Sequence, residues 1–186
     1  LFAGLIAQSI QKESLVTQLR EANAALIAHS YTDALTGLPN RRAIFEDLTT
    51  LFSLARHLKG NAIIAFIDLD DFKHINDTLG HLAGDQCLKE IAGCLKKAYS
   101  RYGNCYRIGG DEFCVLLQEP EKEKFCRETF FWAMEKRRKE VPILPQVSYG
   151  SAELLEQESI LDAKERADQN MYEDKKEHKA RVTVTE

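Results

Sequence analysis

Residues 106 to 115 read YRIGGDEFCV, and this stretch decides the fold. Gly109 and Gly110 lie between two short apolar runs, an arrangement typical of a tight turn joining two β-strands. The turn leads directly into Asp111 and Glu112. The sequence therefore predicts a β-hairpin that carries two carboxylates at its tip.

A second acidic turn follows the most apolar stretch of the chain. Residues 62–67 read AIIAFI, a run too short for a buried helix and rich in β-formers, so we expect a central strand covered on both faces. The run leads into Asp68, Leu69, Asp70 and Asp71. One such turn is ordinary, but two strand ends that both carry carboxylates predict a site around one metal ion.

The remaining periodicities place the hairpin and the central strand in one domain. Apolar residues recur at helical spacing in four stretches, and short β-forming runs lie between them. From residue 62 the order is strand, helix, strand, strand, helix, strand, the split βαβ or ferredoxin-like order. We therefore expect an α+β fold with a central antiparallel sheet flanked by helices. The helical stretches are 44–55, 88–95, 125–140 and 160–171, and the strands are 62–67, 105–108, 113–117 and 146–152.

The composition limits the classes of partner. The 186 residues, 44% of them hydrophobic, suit one domain with an appendage. A formal net charge of -4 argues against a surface that coats nucleic acid, so no nucleic-acid partner is expected. The five cysteines are scattered and show neither a CxxC pair nor a metal-binding spacing, a pattern typical of a reduced, cytoplasmic interior.

Residues 1–30 predict an N-terminal helix, and residues 31–186 form the domain proper. The apolar stripe of the helix is interrupted by Gln8 and Lys12, which indicates a weak coiled-coil seam. A helix lying on its own domain, or the remnant of an upstream element, is the alternative. The chain begins at Leu1 rather than Met, so we expect a segment of a longer protein and place any membrane contact in the region upstream. The stripe consists of Leu5, Leu15, Leu19, Ala22 and Leu26.

The acidic turns offer the chemistry of a magnesium site. Carboxylate and carbonyl oxygens are the ligands that Mg²⁺ prefers, and Mg²⁺ usually takes one or two carboxylates together with substrate phosphates and water. Asp68 and Asp111 meet that requirement. The chain must turn from strand into helix after Asp70, so the N–H groups at 71–73 are free to hold phosphate oxygens. These are the amides of Asp71, Phe72 and Lys73, with the Lys73 ammonium beside them.

Two residues farther along indicate a guanine base. Asn76 supplies an amide donor and acceptor, and Asp85 supplies a bidentate acceptor for the ring N–H and exocyclic amine of guanine. Adenine presents the wrong donors. Structural roles remain open for each residue, because acids of this kind also cap helices and a lysine near a helix C-terminus also favours the helix dipole. Neither His74 nor His81 has a partner at a metal-binding spacing, so zinc is not expected.

Five ordered motifs give the chain a resemblance to a known family. Gly109 to Phe113 is the signature after which the GGDEF family of diguanylate cyclases is named. The resemblance extends over nearly the whole domain. The other motifs are DALTGLPNRR at 33–42, FIDLDDFKHINDTLGHLAGD at 66–85, VSYG at 147–150 and ADQNMYEDKK at 167–176.

The resemblance implies a palm-type fold akin to nucleotidyl cyclases and an enzyme that joins two GTP molecules into cyclic di-GMP. It implies two Mg²⁺ ions per GTP, with Mn²⁺ as a substitute. One domain of this family holds one GTP, so the resemblance also implies a homodimer in which two half-sites face each other. The N-terminal helix, as a signalling helix, would set whether these half-sites meet.

Carried over by position, the family roles fall on the residues already singled out. Asp111 would accept the proton of the attacking 3′-hydroxyl, and Lys73 would stabilise charge at the α-phosphate. Glu112 would act beside Asp111. The metal set is Asp68, the Leu69 carbonyl, Asp111 and Glu112; the guanine and ribose set is Asn76, His81 and Asp85; the terminal phosphates would meet Lys175 and Lys179.

The chain departs from the family pattern in two places. Many members carry an RxxD product-binding site, but Ser100 and Gly103 stand at its positions, so feedback by that route is not expected. Lys179 replaces an arginine of the last motif and loses the bidentate fork of a guanidinium. A degenerate domain that binds GTP or cyclic di-GMP, or only dimerises, is the rival interpretation. The complete set of signature acids argues against it.

Overall fold

The computed structural model of the chain describes residues 11–20, 30–58, 62–155 and 158–183. Residues 11–20 are helical (α1), and Leu15 and Leu19 on this helix are exposed. Leu5, Ala22 and Leu26 of the predicted seam lie outside the described residues. The further elements are α2 (Arg41–Leu58), β1 (Ala62–Leu69), α3 (Phe72–Leu79), α4 (His81–Tyr99), β2 (Gly103–Arg107), β3 (Glu112–Leu117), a short 3₁₀ helix (Pro120–Lys122), α5 (Glu123–Glu140), β4 (Val147–Leu154) and α6 (Ile160–Thr183).

The four strands form one sheet in the order β2-β3-β1-β4. Every neighbouring pair is antiparallel. β1 therefore lies between β3 and β4, as expected for the apolar run at its centre. The α+β fold with a central antiparallel sheet flanked by helices is confirmed.

Alternating side chains of β1 and β3 divide the core between two faces of the sheet. On one face, Ile67 and Phe113 pack with apolar residues of α4 and α5. On the other face, Phe66 and Cys114 pack with Ile44 of α2 and with small residues of α6. The sheet is thus covered on both sides, which leaves the strand ends for chemistry.

The predicted single helix between β1 and β2 is two helices. α3 ends and α4 begins at Gly80, whose φ of 85° lies in a region that residues with a side chain rarely adopt. The Gly80 N–H donates to the Asn76 carbonyl at 3.0 Å and closes α3. The sequence did not predict this break, because helical periodicity continues on both sides of it. The break lets α3 pack on α4 beside the acidic turns.

Gly150 lets α6 pack directly on β4. A Cβ at this position would lie 2.2 Å from both the Ala167 carbonyl oxygen and the Met171 nitrogen. No side chain fits there without a shift of the backbone. The VSYG motif therefore fixes the distance between the last helix and the sheet, and α6 continues to Thr183, well past the predicted end.

Candidate active site

The two acidic turns meet at one end of the sheet. The antiparallel register of β1 and β3 places Asp68 opposite Glu112. One step farther along, the Leu69 N–H donates to the Asp111 carbonyl at 3.3 Å. The backbone ladder thus gathers the four residues predicted to hold the metal, although more than a quarter of the domain separates the two turns in sequence.

Lys175 of α6 lies within this acidic end. Its ammonium donates to a carboxylate oxygen of Asp68. Burial raises the pKa of Asp68, Lys175 lowers it, and the neighbouring Asp111 and Asp70 raise it, so that its pKa is higher than usual. Burial lowers the pKa of Lys175, but the three carboxylates outweigh burial and raise it. The site therefore already concentrates negative charge around a cation.

The donor set suits Mg²⁺ better than a preformed metal cage. Among the residues that the structure describes, no group of three His, Cys, Asp or Glu side chains is arranged to hold a metal by itself. Mg²⁺ needs only one or two carboxylates when substrate phosphates and water complete its shell. Asp68, Asp111 and the Leu69 carbonyl supply hard oxygen ligands, and the Lys175 ammonium shows that a positive charge is stable beside them. These three oxygen ligands therefore suit a Mg²⁺ ion whose shell is completed by substrate phosphates and water.

The turn between β1 and α3 is held in an unusual backbone conformation. Asp71 has a φ of 54°, in the left-handed region that few residues other than glycine adopt. Its neighbour Asp70 accepts a hydrogen bond from the buried Ser148 hydroxyl at 2.6 Å, and its N–H donates to the Gln146 carbonyl. Because α3 starts at Phe72, the amides at 71–73 have no acceptor one turn earlier within the helix. They remain available for an anion, and the Lys73 side chain beside them is exposed.

The predicted guanine residues lie where α3 packs on α4. A Cβ at Gly84 would lie 2.1 Å from the Asn76 side-chain oxygen and 3.1 Å from the Phe72 ring. Asn76 and Phe72 thus rest on the bare backbone of α4. Asp85 follows Gly84, and the exposed His81 opens the same helix. The requirement for glycine at position 84 was missed by sequence reasoning.

An arginine clamp behind the hairpin turn was also missed. One Arg107 nitrogen donates to both carboxylate oxygens of Asp33, at 3.1 and 3.2 Å, and another donates to the Gly110 carbonyl at 2.7 Å. Asp33 also accepts hydrogen bonds from the backbone and hydroxyl of Thr36. The clamp joins the DALTGLPN loop to the hairpin tip. Its sequence signal is an arginine placed just before the turn and an aspartate that opens a loop motif.

Of the two C-terminal lysines predicted to bind phosphates, the structure describes the side chain of Lys175 but not that of Lys179. The Tyr149 N–H donates to the Asp174 carboxylate at 2.9 Å, so α6 is anchored at the residue before Lys175. Lys175 contacts Asp68, and a role in binding terminal phosphates remains a prediction. The Lys179 side chain lies outside the described part of α6.

The sheet order and the helices on both of its faces are those of a palm-type α+β domain. A family model described as "Diguanylate cyclase, GGDEF domain" matches residues 30–181. The chain belongs to this GGDEF family, as its motifs predict.

Curated relatives agree with the assignment. The diguanylate cyclase DgcP of Escherichia coli strain K12 is 66% identical over 116 residues, which are 62% of this chain and 34% of that protein. The diguanylate cyclase DgcN of the same organism is 34% identical over 89% of this chain and 42% of its own length. The chain thus spans less than half the length of these two relatives. The similarity to DgcP and DgcN therefore concerns this domain and not the rest of those two proteins.

Solved structures support the fold. The coiled coil and GGDEF domain of DgcB from Caulobacter crescentus, crystallised with c-di-GMP, gives a TM-score of 0.82 at 27% identity and covers 92% of this chain and 94% of that chain. The diguanylate cyclase SiaD of Pseudomonas aeruginosa, in complex with its activator SiaC, gives 0.71 at 29% identity and covers 93% and 68%. In the described part of this chain, no helix is both long and apolar enough to cross a membrane.

Proposed function

We propose that this domain is a diguanylate cyclase that condenses two GTP molecules into cyclic di-GMP and releases two pyrophosphates. The observation that carries the proposal is the register of β1 and β3, which sets Asp68 opposite Glu112 and the Leu69 amide against Asp111. Relatives named as diguanylate cyclases support the same chemistry.

Each half of the reaction makes one bond and breaks one bond. The 3′-oxygen of one GTP forms a bond to the α-phosphorus of the other, the bond from that phosphorus to the bridging oxygen breaks, and pyrophosphate leaves with the bonding electrons. Asp111 accepts the proton of the 3′-hydroxyl, with Glu112 beside it. A second step of the same kind, in which the 3′-oxygen of the second GTP attacks the α-phosphorus of the first, releases the second pyrophosphate and closes the ring.

The protein contributes position and charge. Asp68, Asp111, Glu112 and the Leu69 carbonyl would hold Mg²⁺, or Mn²⁺ in its place, and an ion held there would neutralise developing phosphate charge. Lys73 and the free amides at 71–73 hold phosphate oxygens. Asn76 and Asp85 select guanine, and Lys175 meets the terminal phosphates after it leaves Asp68.

Activity in this proposal requires a homodimer. One domain presents one acidic end, so the 3′-hydroxyl of each GTP must come from the opposite half-site. Leu15 and Leu19 are exposed on α1, as expected for a seam that another copy of the helix covers. Pairing of the two α1 helices would then set the orientation in which the two domains face each other.

The direct test is incubation of the chain with GTP and Mg²⁺ over a range of protein concentrations, with cyclic di-GMP and pyrophosphate both measured. Product should rise more steeply than protein concentration and disappear in Asp111→Ala. Asp77→Asn is the matched control, because Asp77 is an exposed acid of α3 without a proposed role. If GTP binds but no product forms at any concentration, the domain is a binding or dimerisation module.

The role of the helix has its own test. Leu15→Glu with Leu19→Glu should lower both the dimer fraction in sedimentation experiments and the specific activity. Ser14→Glu with Thr17→Glu adds the same two charges to exposed positions of this helix away from the seam and should change neither. Unchanged assembly and turnover in the double variant would remove α1 from the mechanism.

A further inference from the structure

An exposed surface on α4, α5 and the connection between α4 and β2 combines aromatic rings with cations. Phe125 and Trp132 are 58% and 60% exposed, and they lie two helical turns apart on α5. The Phe125 ring meets Tyr102 edge to face, with centroids 6.4 Å apart. We call this surface the aromatic stripe. It consists of Tyr102, Phe125 and Trp132 with the cations Lys97, Arg101, Lys122 and Lys136.

The four cations of the stripe rest on its rings instead of on carboxylates. Lys97 and Lys136 lie 5.6 and 5.7 Å from the centroid of Trp132. Arg101 and Lys122 lie 5.6 and 5.9 Å from that of Tyr102. None of the four forms an ion pair with a carboxylate in the described part of the chain. Their charge is therefore available to an anionic partner.

A hollow of about 280 Å³ lies between α4 and α5 and is lined by the two lysines that contact the Trp132 ring. Lys97 and Lys136 line it, together with Arg137, which pairs with both Glu90 and Glu140. Both acids of the hollow thus contact Arg137 instead of the two lysines. Lys97, Lys136 and Arg137 outnumber the two carboxylates, so the hollow keeps a net positive charge that favours an anionic headgroup such as a phosphodiester.

From this surface we infer that the domain docks on an anionic lipid bilayer through the aromatic stripe. The stripe sets Phe125 and Trp132, both more than half exposed, among four cations, so one surface is both apolar and basic. The same rings suit shallow insertion at a bilayer interface, where Trp and Phe are favoured and lysine stems follow the apolar boundary. Each cation near an anionic surface strengthens such binding by about fivefold.

The stripe lies away from the chemistry. Lys97 is twelve residues after Asp85 on α4, so the two are separated by roughly 18 Å along the helix. A domain docked through the stripe keeps its acidic end open to GTP and to a second half-site. The overall charge of -4 opposes a general attraction to anionic lipid, so docking depends on this surface and weakens with added salt.

Trp132 is the only tryptophan of the chain, and its emission reports directly on the stripe. The protein is titrated with phosphatidylcholine vesicles and with vesicles that also contain phosphatidylglycerol, and binding is measured by cosedimentation and by Trp132 fluorescence. We expect a blue shift, and quenching by brominated acyl chains, with the anionic vesicles only. Lys97→Gln with Lys136→Gln should weaken binding at least about tenfold. Phe125→Ser should weaken it with the charge unchanged.

Lys164→Gln with Lys176→Gln is the matched control, because it removes the same charge from α6, where the two lysines lie over Phe66 and Tyr172, rings outside the stripe. An equal loss in this control, or binding without a change in Trp132 emission, would overturn the assignment of the surface. Equally tight binding of a single-stranded oligonucleotide would overturn the assignment of the partner, as would the absence of binding to anionic vesicles at low salt. Circular dichroism checks the fold of each variant.

Discussion

Arg107 and Asp33 are 74 residues apart in sequence and form a two-oxygen ion pair behind the hairpin turn. Their side chains are only 14% and 23% exposed. Arg107 also holds the Gly110 carbonyl, while its Nε is buried without a hydrogen-bond partner among the described residues. The two terminal nitrogens of Arg107 thus hold the turn that carries Asp111 against the loop that contains Asp33.

Loss of this pair should lower both stability and turnover. Arg107→Gln or Asp33→Asn leaves a partly buried group unmatched, so each should cost about 1–3 kcal/mol of unfolding free energy. Turnover should fall more than GTP affinity, because the turn rather than the guanine site loses its support. Urea unfolding of the single and double variants measures the coupling between the two residues. Additive losses would contradict a direct interaction. Arg101→Gln, which breaks no ion pair among the described residues, should stay within about 0.5 kcal/mol.

The same pair predicts a pH dependence of stability. Burial raises the pKa of Asp33, but the Thr36 hydrogen bonds and the Arg107 guanidinium outweigh burial and lower it. A carboxyl whose pKa is lowered by folding stabilises the folded state fully above its ordinary pKa of about 4, and this stabilisation is lost as the pH falls through the folded-state pKa. The difference in unfolding free energy between wild type and Asp33→Asn should therefore shrink on acidification. A constant difference from neutral to acid pH would exclude this role.

Gly84→Ala should weaken nucleotide binding. The added Cβ meets the Asn76 side chain and the Phe72 ring, so both must move away from α4. We expect a loss of about tenfold in GTP affinity, measured with a fluorescent GTP analogue, which corresponds to about 1.4 kcal/mol.

Gly93→Ala is the matched control on the same helix, because its Cβ meets no atom within 4 Å. It should leave binding intact and stabilise α4 by about 0.5–1 kcal/mol. If the two variants behave alike, the packing of α3 on α4 does not set the guanine site.

The sequence was most informative where backbone pattern and chemistry coincide. Strand order, the hairpin and the meeting of the two acidic turns follow from apolar runs that end in carboxylates. The break at Gly80 was not predicted, because amphipathic spacing continues on both sides of it. Pairings between distant side chains, such as Arg107 with Asp33, have no periodicity and become visible only when the sheet brings their loops together. The contact of Lys175 with Asp68 belongs to the same group.

Lys175 should exchange Asp68 for nucleotide phosphates during binding. Its ammonium forms an ion pair with Asp68, a carboxylate that would hold the metal. The negative charges of Asp70 and Asp111 further stabilise the ammonium at this position. Lys175→Met should therefore bind Mn²⁺ several-fold more tightly without nucleotide, because no internal cation competes for Asp68. The same variant should bind GTP more weakly, because the terminal phosphates lose a charge partner. Electron paramagnetic resonance of free Mn²⁺ and a GTP-binding assay measure the two effects separately.

Lys176→Met controls for net charge, since Lys176 lies over the Tyr172 ring at 4.2 Å and makes no contact with the acidic end. It should leave both affinities close to wild type. Opposite shifts for Mn²⁺ and GTP in Lys175→Met alone identify a lysine that serves both as a counter-ion and as a phosphate ligand. If both affinities fall together, Lys175 only supports the local structure, and the ion pair with Asp68 persists in the loaded site.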